Sequence, residues 1–400
     1  MRLLVSCLLP LIAAGQSGAP EPVLSLPMSV QTHGLYVEAR VNESARLRFQ
    51  FDTAAGWHVV NWPAAEAAGL AMKEHAAGAQ GAGDGRTRAA RISSVVLRAG
   101  ALEIPFEPAA AILLDPVAER KGIRLDGLIG APLLKRYVVE TDVDAGQWRL
   151  YSPADWRPTS AGHELPVRVD GMGVPHIRLS FTLPGGRVIE GEFKIDSAAG
   201  GTTIFIAAPF AREHGLLDQL RAAGVPLLED EVGGVGGTSR LWLVRIPGIQ
   251  LGPWRFARPV VGITEARGGT LAASGLAGIV GGGLLHRFNV VYDCPRSRIF
   301  LRPARSFAAP FEDDMAGIRW LNPAPDWRRF LVRTVRSGSP AHHAGIREGD
   351  ELIEADHRPV AEFDRAALTQ LLQQPGRRVA MKFRRAGQEL SVTLRLERLI

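Results

Sequence analysis

Hydrophobic and polar residues alternate in short runs along most of the 400-residue chain, and turn-forming residues separate the runs. A period of two predicts strands with one buried face rather than long helices. Residues 34–56 read GLYVEARVNESARLRFQFDTAAG: an alternating strand, a turn at Asn42-Glu43-Ser44, and a second alternating strand running into Asp52. Residues 173–200 read GVPHIRLSFTLPGGRVIEGEFKIDSAAG and repeat the plan, with the turn at Gly185-Gly186 and the second strand running into Asp196. The repeat continues downstream. Leu128-Ile129-Gly130 precedes Leu133-Leu134-Lys135-Arg136-Tyr137 and Asp142, while Ile279-Val280-Gly281 precedes Leu284-Leu285-His286-Arg287-Phe288 and Asp293. The glycine-to-aspartate interval is the same in both copies. A repeat this long is a duplicated lobe, not a solenoid unit.

Between the paired motifs each half carries a glycine-rich stretch, residues 78–85 (GAQGAGDG) and 233–238 (GGVGGT). Strand-like sequence flanks both, and no long helical pattern follows either. Hairpin tips are therefore predicted, not phosphate-cradling loops. After Pro303 the texture changes. An acidic and Pro-rich junction leads to an alternating run from Phe330 and a Ser339-Pro340-Ala341 segment that starts a short helix ended by Gly345. Residues 364–374 read as an amphipathic helix, with Ala367, Leu368, Leu371 and Leu372 on one face and Pro375-Gly376 as its stop. Strands are predicted over 379–384 and 390–396.

Four hundred residues exceed what one hydrophobic core supports, so two or three domains are expected. A hydrophobic share of 46%, a charged share of 22%, 44 Gly and 27 Pro fit a turn-rich globular protein. The net charge of +6 is scattered, without a lysine block, which argues against a nucleic-acid surface. Arg2, the apolar stretch 3–14 and the small residues up to Ala19 form an export signal, too short for an ordinary membrane span. No later stretch is long and apolar enough to cross a bilayer. The expected location is therefore periplasmic or extracellular. Removal of residues 1–19 would take Cys7 and leave Cys294 alone, a structural thiol without a disulfide partner.

Two aspartates just past buried strands, each followed by a hydroxyl residue and small residues, have a specific chemical use. The small residues let two loops approach closely. The hydroxyls of Thr53 and Ser197 can bond backbone groups across a pseudo-twofold axis and brace both loops. Two close carboxyls then share one proton. One acts as general base on a water, and the other polarises a peptide carbonyl. This chemistry needs no metal and no cofactor. Asp142 and Asp293 precede turns and read as strand-end residues. His58 either lines the cleft or packs, and His75, His163, His176 and His286 lack metal-ligand spacing. Neither His-Glu-x-x-His nor Gly-x-Ser-x-Gly occurs.

Asp52-Thr53-Ala54 and Asp196-Ser197-Ala198, each paired with a later apolar-apolar-Gly segment, resemble the pepsin/retropepsin clan of aspartic peptidases over about residues 30–305. The lobes look nearer the compact retropepsin type. The resemblance implies Asp52 and Asp196 as the catalytic pair, Thr53 and Ser197 as its support, the glycine-rich hairpins as flaps, and a peptide or unfolded protein as substrate. Both triplets have alanine where the clan has glycine. Alanine keeps the amide that bonds the carboxylate but adds a methyl group where two loops pack. Residues 330–353 resemble bacterial PDZ domains. That resemblance implies peptide capture near Ala316-Gly317-Ile318, with Gly317 and Ile318 as candidate contacts, and a peptide or protein partner.

The expected fold is mainly β: two tandem acid-protease-type β-barrel lobes related by pseudo-twofold symmetry, then a small α+β PDZ domain. The expected division is 1–19 signal, 22–158 and 159–305 lobes, and 312–400 PDZ domain. The leading reading is an exported aspartic endopeptidase. The alternatives are an inactive peptide-binding protein that keeps the fold, and a scaffold acting through the PDZ groove.

Overall fold

A computed structural model describes residues 20–158 and 162–400, so the expected export signal and Cys7 lie outside the described residues. In the first lobe, β1 (Gly34–Val41) and β2 (Leu47–Asp52) pair antiparallel, with Tyr36 opposite Gln50. The alternation read from the sequence sends Phe49 and Phe51 of β2 into the core, fully buried. β3 (His58–Asn61) follows the Asp52 turn. Helix α1 (Asp115–Lys121) begins with an acidic residue, ends with Arg120 and Lys121, and stops at Gly122 with a left-handed φ of 67°. That order suits the helix dipole and a glycine C-cap. β4 (Gly127–Gly130) then threads between β2 and β3, parallel to β2 with Gly130 opposite Asp52 and antiparallel to β3.

The second lobe repeats the arrangement. β5 (Pro175–Thr182) and β6 (Val188–Ile195) form the hairpin, and β7 (Ile204–Ile206) follows the Asp196 turn. β8 (Leu228–Gly234) and β9 (Gly237–Arg245) form a long antiparallel hairpin. β10 (Gly278–Val280) threads parallel to β6, with Val280 opposite Ile195, and antiparallel to β7. The lobes meet in a six-stranded sheet where Val138–Asp142 pairs antiparallel with Phe288–Asp293. Phe51, just before the first aspartate, packs edge-on against Trp148 and Tyr292 of that sheet, 5.8 Å from each ring. One hydrophobic core runs through both lobes. Each aspartate turn is thus seated on a shared base, not on an isolated lobe.

Asp142 and Asp293 end their strands. Asp142 accepts from the Ala145 amide at 3.0 Å, and the fully buried Asp293 is paired with Arg296 and Arg298 at 2.9 and 2.8 Å.

The C-terminal unit has its own core, running from Met315 to Leu396. β11 (Ile318–Leu321) is the edge strand beside β12 (Phe330–Val335), and Glu351–Ala355, Arg378–Arg385 and Gln388–Arg395 continue the sheet. Helix α2 (Arg365–Leu371) covers it, capped by Asp364, which accepts from the Ala367 amide at 2.7 Å. The sequence pattern extended this helix to Gln374. It ends at Leu371, and Gln374, which precedes Pro375, is steered away from helical backbone.

Candidate active site

Asp52 and Asp196 occupy equivalent turns. Asp52 Oδ1 accepts from the amides of Ala54 at 3.0 Å and Ala55 at 2.9 Å. Asp196 Oδ1 accepts from Ala198 at 2.9 Å and Ala199 at 2.8 Å. Neither Ala54 nor Ala198 has a positive φ. The turn therefore demands no left-handed backbone from its third residue, and alanine supplies the same N–H that glycine would.

Thr53 and Ser197, both buried, join the two turns reciprocally. The Thr53 amide donates to Ser197 Oγ at 3.2 Å, and the Ser197 amide donates to Thr53 Oγ1 at 3.1 Å. The hydroxyls in turn donate across the interface, Thr53 Oγ1 to Ile195 O at 2.6 Å and Ser197 Oγ to Phe51 O at 2.7 Å. Each hydroxyl is donor and acceptor at once, so the residue before each aspartate is tied to the opposite lobe.

The threading strands fix the turns from behind. A Cβ on Gly130 would lie 2.3 Å from Trp57 O, and one on Gly281 would lie 2.5 Å from Thr202 O. Without those side chains Ala131 N reaches Ala55 O at 2.8 Å and Gly282 N reaches Ala199 O at 2.7 Å. This is why glycine ends both apolar-apolar-Gly segments.

Burial, reinforced by the neighbouring Asp196 charge, pushes the Asp52 carboxyl up to about 7, against the pull of the Ala54 and Ala55 amides and of Lys121. Asp196 is also raised, chiefly by burial, with the Ala198 and Ala199 amides and Lys121 opposing. A pair held this way keeps a proton well above the ordinary carboxyl range.

The glycine-rich stretches meet tip to tip. Residues 78–85 join Met72–Glu74 to Ala89–Ile92, and residues 235–236 turn β8 into β9. Gly81 and Gly83 donate to Val235 O at 3.0 and 3.1 Å, and Gly85 donates to Gly236 O at 2.9 Å. Asp84 Oδ1 accepts from Ser239 Oγ at 2.8 Å and from the amides of Arg267 and Gly268 at 2.9 and 3.1 Å.

Sequence reasoning did not single out Lys121. At the end of α1, its Nζ donates to Ala198 O at 2.8 Å, within the second aspartate turn. Burial lowers its basicity while Asp196 and Asp52 raise it. Its neighbour Arg120 reaches Gly234 O of β8 at 3.1 Å. No local pattern announces either contact, because both join α1 to the other lobe.

The other candidates fall elsewhere. His58 does not line the cleft: it stacks on Phe106 at 4.2 Å and accepts from the Gly130 amide at 3.0 Å, and burial depresses it to about 3. Cys294 is buried and its thiol is pushed up to about 12 by burial, consistent with a structural role. Gly317 and Ile318 lie at the start of β11, but their amides are taken. Asp314 Oδ1 accepts from Gly317 at 2.5 Å and from Ile318 at 3.0 Å. The loop turns these two amides onto its own carboxylate.

A family profile described as a PDZ domain matches residues 331–385. A Neisseria meningitidis protein named "Putative zinc metalloprotease" is 40% identical over 62 residues, 15% of this chain and only 14% of that protein. That match covers the PDZ region alone. An aspartic proteinase from Irpex lacteus aligns over 72% of this chain and 99% of its own, with 13% identity and a TM-score of 0.41. A retropepsin-like aspartic protease from Rickettsia conorii aligns over 37% of this chain and 98% of its own, with 14% identity and a TM-score of 0.25.

Proposed function

We propose that the chain is an exported aspartic endopeptidase that hydrolyses peptide bonds in extended or unfolded substrates. The observation that carries this reading is the reciprocal Thr53–Ser197 lock, which sets two raised carboxyls on equivalent turns of opposite lobes. A single aspartate at a strand end serves as a turn former. Two, cross-braced and each bonded by two amides of its own turn, form a pair that shares one proton.

In the proposed reaction the ionised carboxylate takes a proton from water as its oxygen attacks the peptide carbonyl carbon. The protonated carboxyl gives its proton to the carbonyl oxygen. The resulting gem-diol collapses as one carboxyl gives its proton to the amide nitrogen and the C–N bond breaks, while a gem-diol hydroxyl returns its proton to the other carboxylate, so the pair again holds one proton. The glycine-rich tips would cover the substrate and exclude water from the reacting groups. The PDZ domain would take an extended peptide along β11. Among the described residues no helix is long and apolar enough to cross a membrane.

Replacing Asp52 or Asp196 by Asn in the full chain tests this. Cleavage of denatured casein should vanish in both variants while circular dichroism stays unchanged. Retained turnover in either would remove the pair from the mechanism. N-terminal sequencing of protein recovered from the periplasm tests export: a mature chain beginning near residue 20 is expected.

A further inference from the structure

We infer that helix α1 of the first lobe is an internal latch on the PDZ groove, and that an extended peptide pairing with β11 displaces it and frees the aspartate cleft. The consequence for cleavage rests on the peptidase reading above; the contacts do not.

β11 is an edge strand, so its outer backbone groups are open to another extended chain. In this structure the end of α1 takes part of that edge. Just past β11, the Asn322 amide donates to Glu119 O at 2.9 Å. Arg365, the first residue of α2, donates from one nitrogen to Trp320 O of β11 and to Arg120 O of α1, both at 3.0 Å. The fit is close, since a Cβ on Gly122 would lie 2.5 Å from Asn322 Oδ1. At the other end of β11, Asp314 fills the Gly317 and Ile318 amides. Both ends of the strand are thus occupied by the protein's own groups.

Each end is also tied to the cleft. From α1, Lys121 reaches Ala198 O beside Asp196, and Arg120 reaches Gly234 O near the β8 tip. From the PDZ side, Asp230 of β8 is held by Arg319 of β11 and by Arg336, the latter at 2.6 Å. Arg336 also lies 2.9 Å from Asp313, the neighbour of Asp314, and Arg333 of β12 pairs with Glu231 of β8. Lys121 Nζ bonds a carbonyl inside the second aspartate turn, so α1 is fastened to that turn, and its charge pulls both carboxyls down against burial, which lowers the share of the singly protonated pair that hydrolysis needs. A peptide strand laid along β11 competes for the Asn322 amide, which holds Glu119 O of α1, and for Trp320 O, which positions Arg365 on Arg120 O of α1. Its arrival at one end of the groove therefore releases Lys121 and Arg120 together.

The full chain tests the latch with Arg365→Met and Lys121→Met. Turnover of denatured casein is measured, and amide exchange is followed in an Asp52→Asn background, where cleavage cannot interfere. Arg365→Met should raise turnover several-fold and speed exchange in both α1 and β8–β9. Lys121→Met should raise turnover on its own, and it decides the question if Arg365→Met unfolds the C-terminal sheet. Unchanged or lower turnover in Lys121→Met overturns the inference. A pool of synthetic random decapeptides, added to the Asp52→Asn protein, should protect β11 and deprotect α1. Protection of β11 with α1 unchanged, or no change in either, overturns the displacement. If no form cleaves casein, wild type included, the peptidase reading fails by itself. The exchange data then decide the latch alone: joint loosening of α1 and β8 in Arg365→Met supports it, and loosening of one without the other defeats it.

Discussion

Thr53 and Ser197 each receive the other's backbone amide on a side-chain hydroxyl, at 3.2 and 3.1 Å, and each passes its own proton to a carbonyl of the opposite lobe. Both are buried, so removing one hydroxyl strands an amide and a carbonyl. Thr53→Ala or Ser197→Ala should each cost about 1–3 kcal/mol. The double variant should cost less than the sum, because the two hydroxyls make separate bonds but hold the same two turns together, and the first substitution loosens the geometry on which the other hydroxyl's bonds depend. Urea midpoints of the four proteins check this; simple additivity would mean the two residues act separately.

The raised dyad makes stability depend on pH in a defined direction. Folding favours the protonated carboxyl, so the folded chain binds more protons than the unfolded one between the ordinary value of 3.8 and about 7. Stability from this site is fully present below 3.8 and declines as pH rises toward about 7. Asn at position 52 cannot ionise. Asp52→Asn should therefore melt higher than wild type at pH 8 and nearly match it at pH 3.5, as read by melting temperature across that range. Casein cleavage by wild type should fall as pH climbs past about 7, where the shared proton is lost.

Asp230 ties the PDZ unit to β8 and behaves in the opposite sense. Despite burial, Arg319 and Arg336 hold its carboxyl down to about 2. Its contribution is complete above the ordinary carboxyl value of 3.8 and is lost as pH falls toward about 2. Asp230→Asn leaves two arginines facing a neutral amide, and Arg336 is only 5% exposed. A loss of about 3–5 kcal/mol at pH 7 is expected, shrinking in acid. Thermal melts at pH 7 and pH 3 would contradict this if the variant lost as much at both.

The lobes and the two aspartate turns were legible because they repeat. Period-two alternation placed β1, β2, β5 and β6, and the paired Asp-hydroxyl-Ala turns stood at the same point of each copy. Alanine at 54 and 198 reads as a departure from the pattern, yet only backbone geometry reveals that no positive φ is required there. Lys121 left no trace in the sequence. It ends an ordinary amphipathic helix, and its partner Ala198 O is a backbone atom 77 residues away. The Arg319–Asp230–Arg336 cluster was hidden for the same reason, since its members lie 89 and 106 residues apart. Gly317 and Ile318 are read from the sequence as peptide contacts, but the donation of their amides to Asp314 depends on a turn geometry that composition does not encode.

The meeting of the two glycine-rich tips explains their composition and gives a direct test of their role. Gly236 has a φ of 91°, and a Cβ there would lie 2.2 Å from Gly85 O, while one on Gly83 would lie 2.5 Å from the Gly236 carbonyl carbon. Only two bare backbones can approach this closely, and a methyl group on either must push the tips apart. Gly236→Ala adds the cost of a left-handed backbone, about 1 kcal/mol, confined to a half-buried turn. Melting temperature should change by no more than a few degrees, whereas amides at Gly81, Gly83 and Gly85 should lose protection. If closure of the tips excludes water during reaction, kcat on denatured casein should drop roughly tenfold with a smaller change in KM. Lost protection with full kcat would show that the clasp is a resting contact only, and the cover over the aspartates would have to be sought in the α1 and β8 side of the cleft.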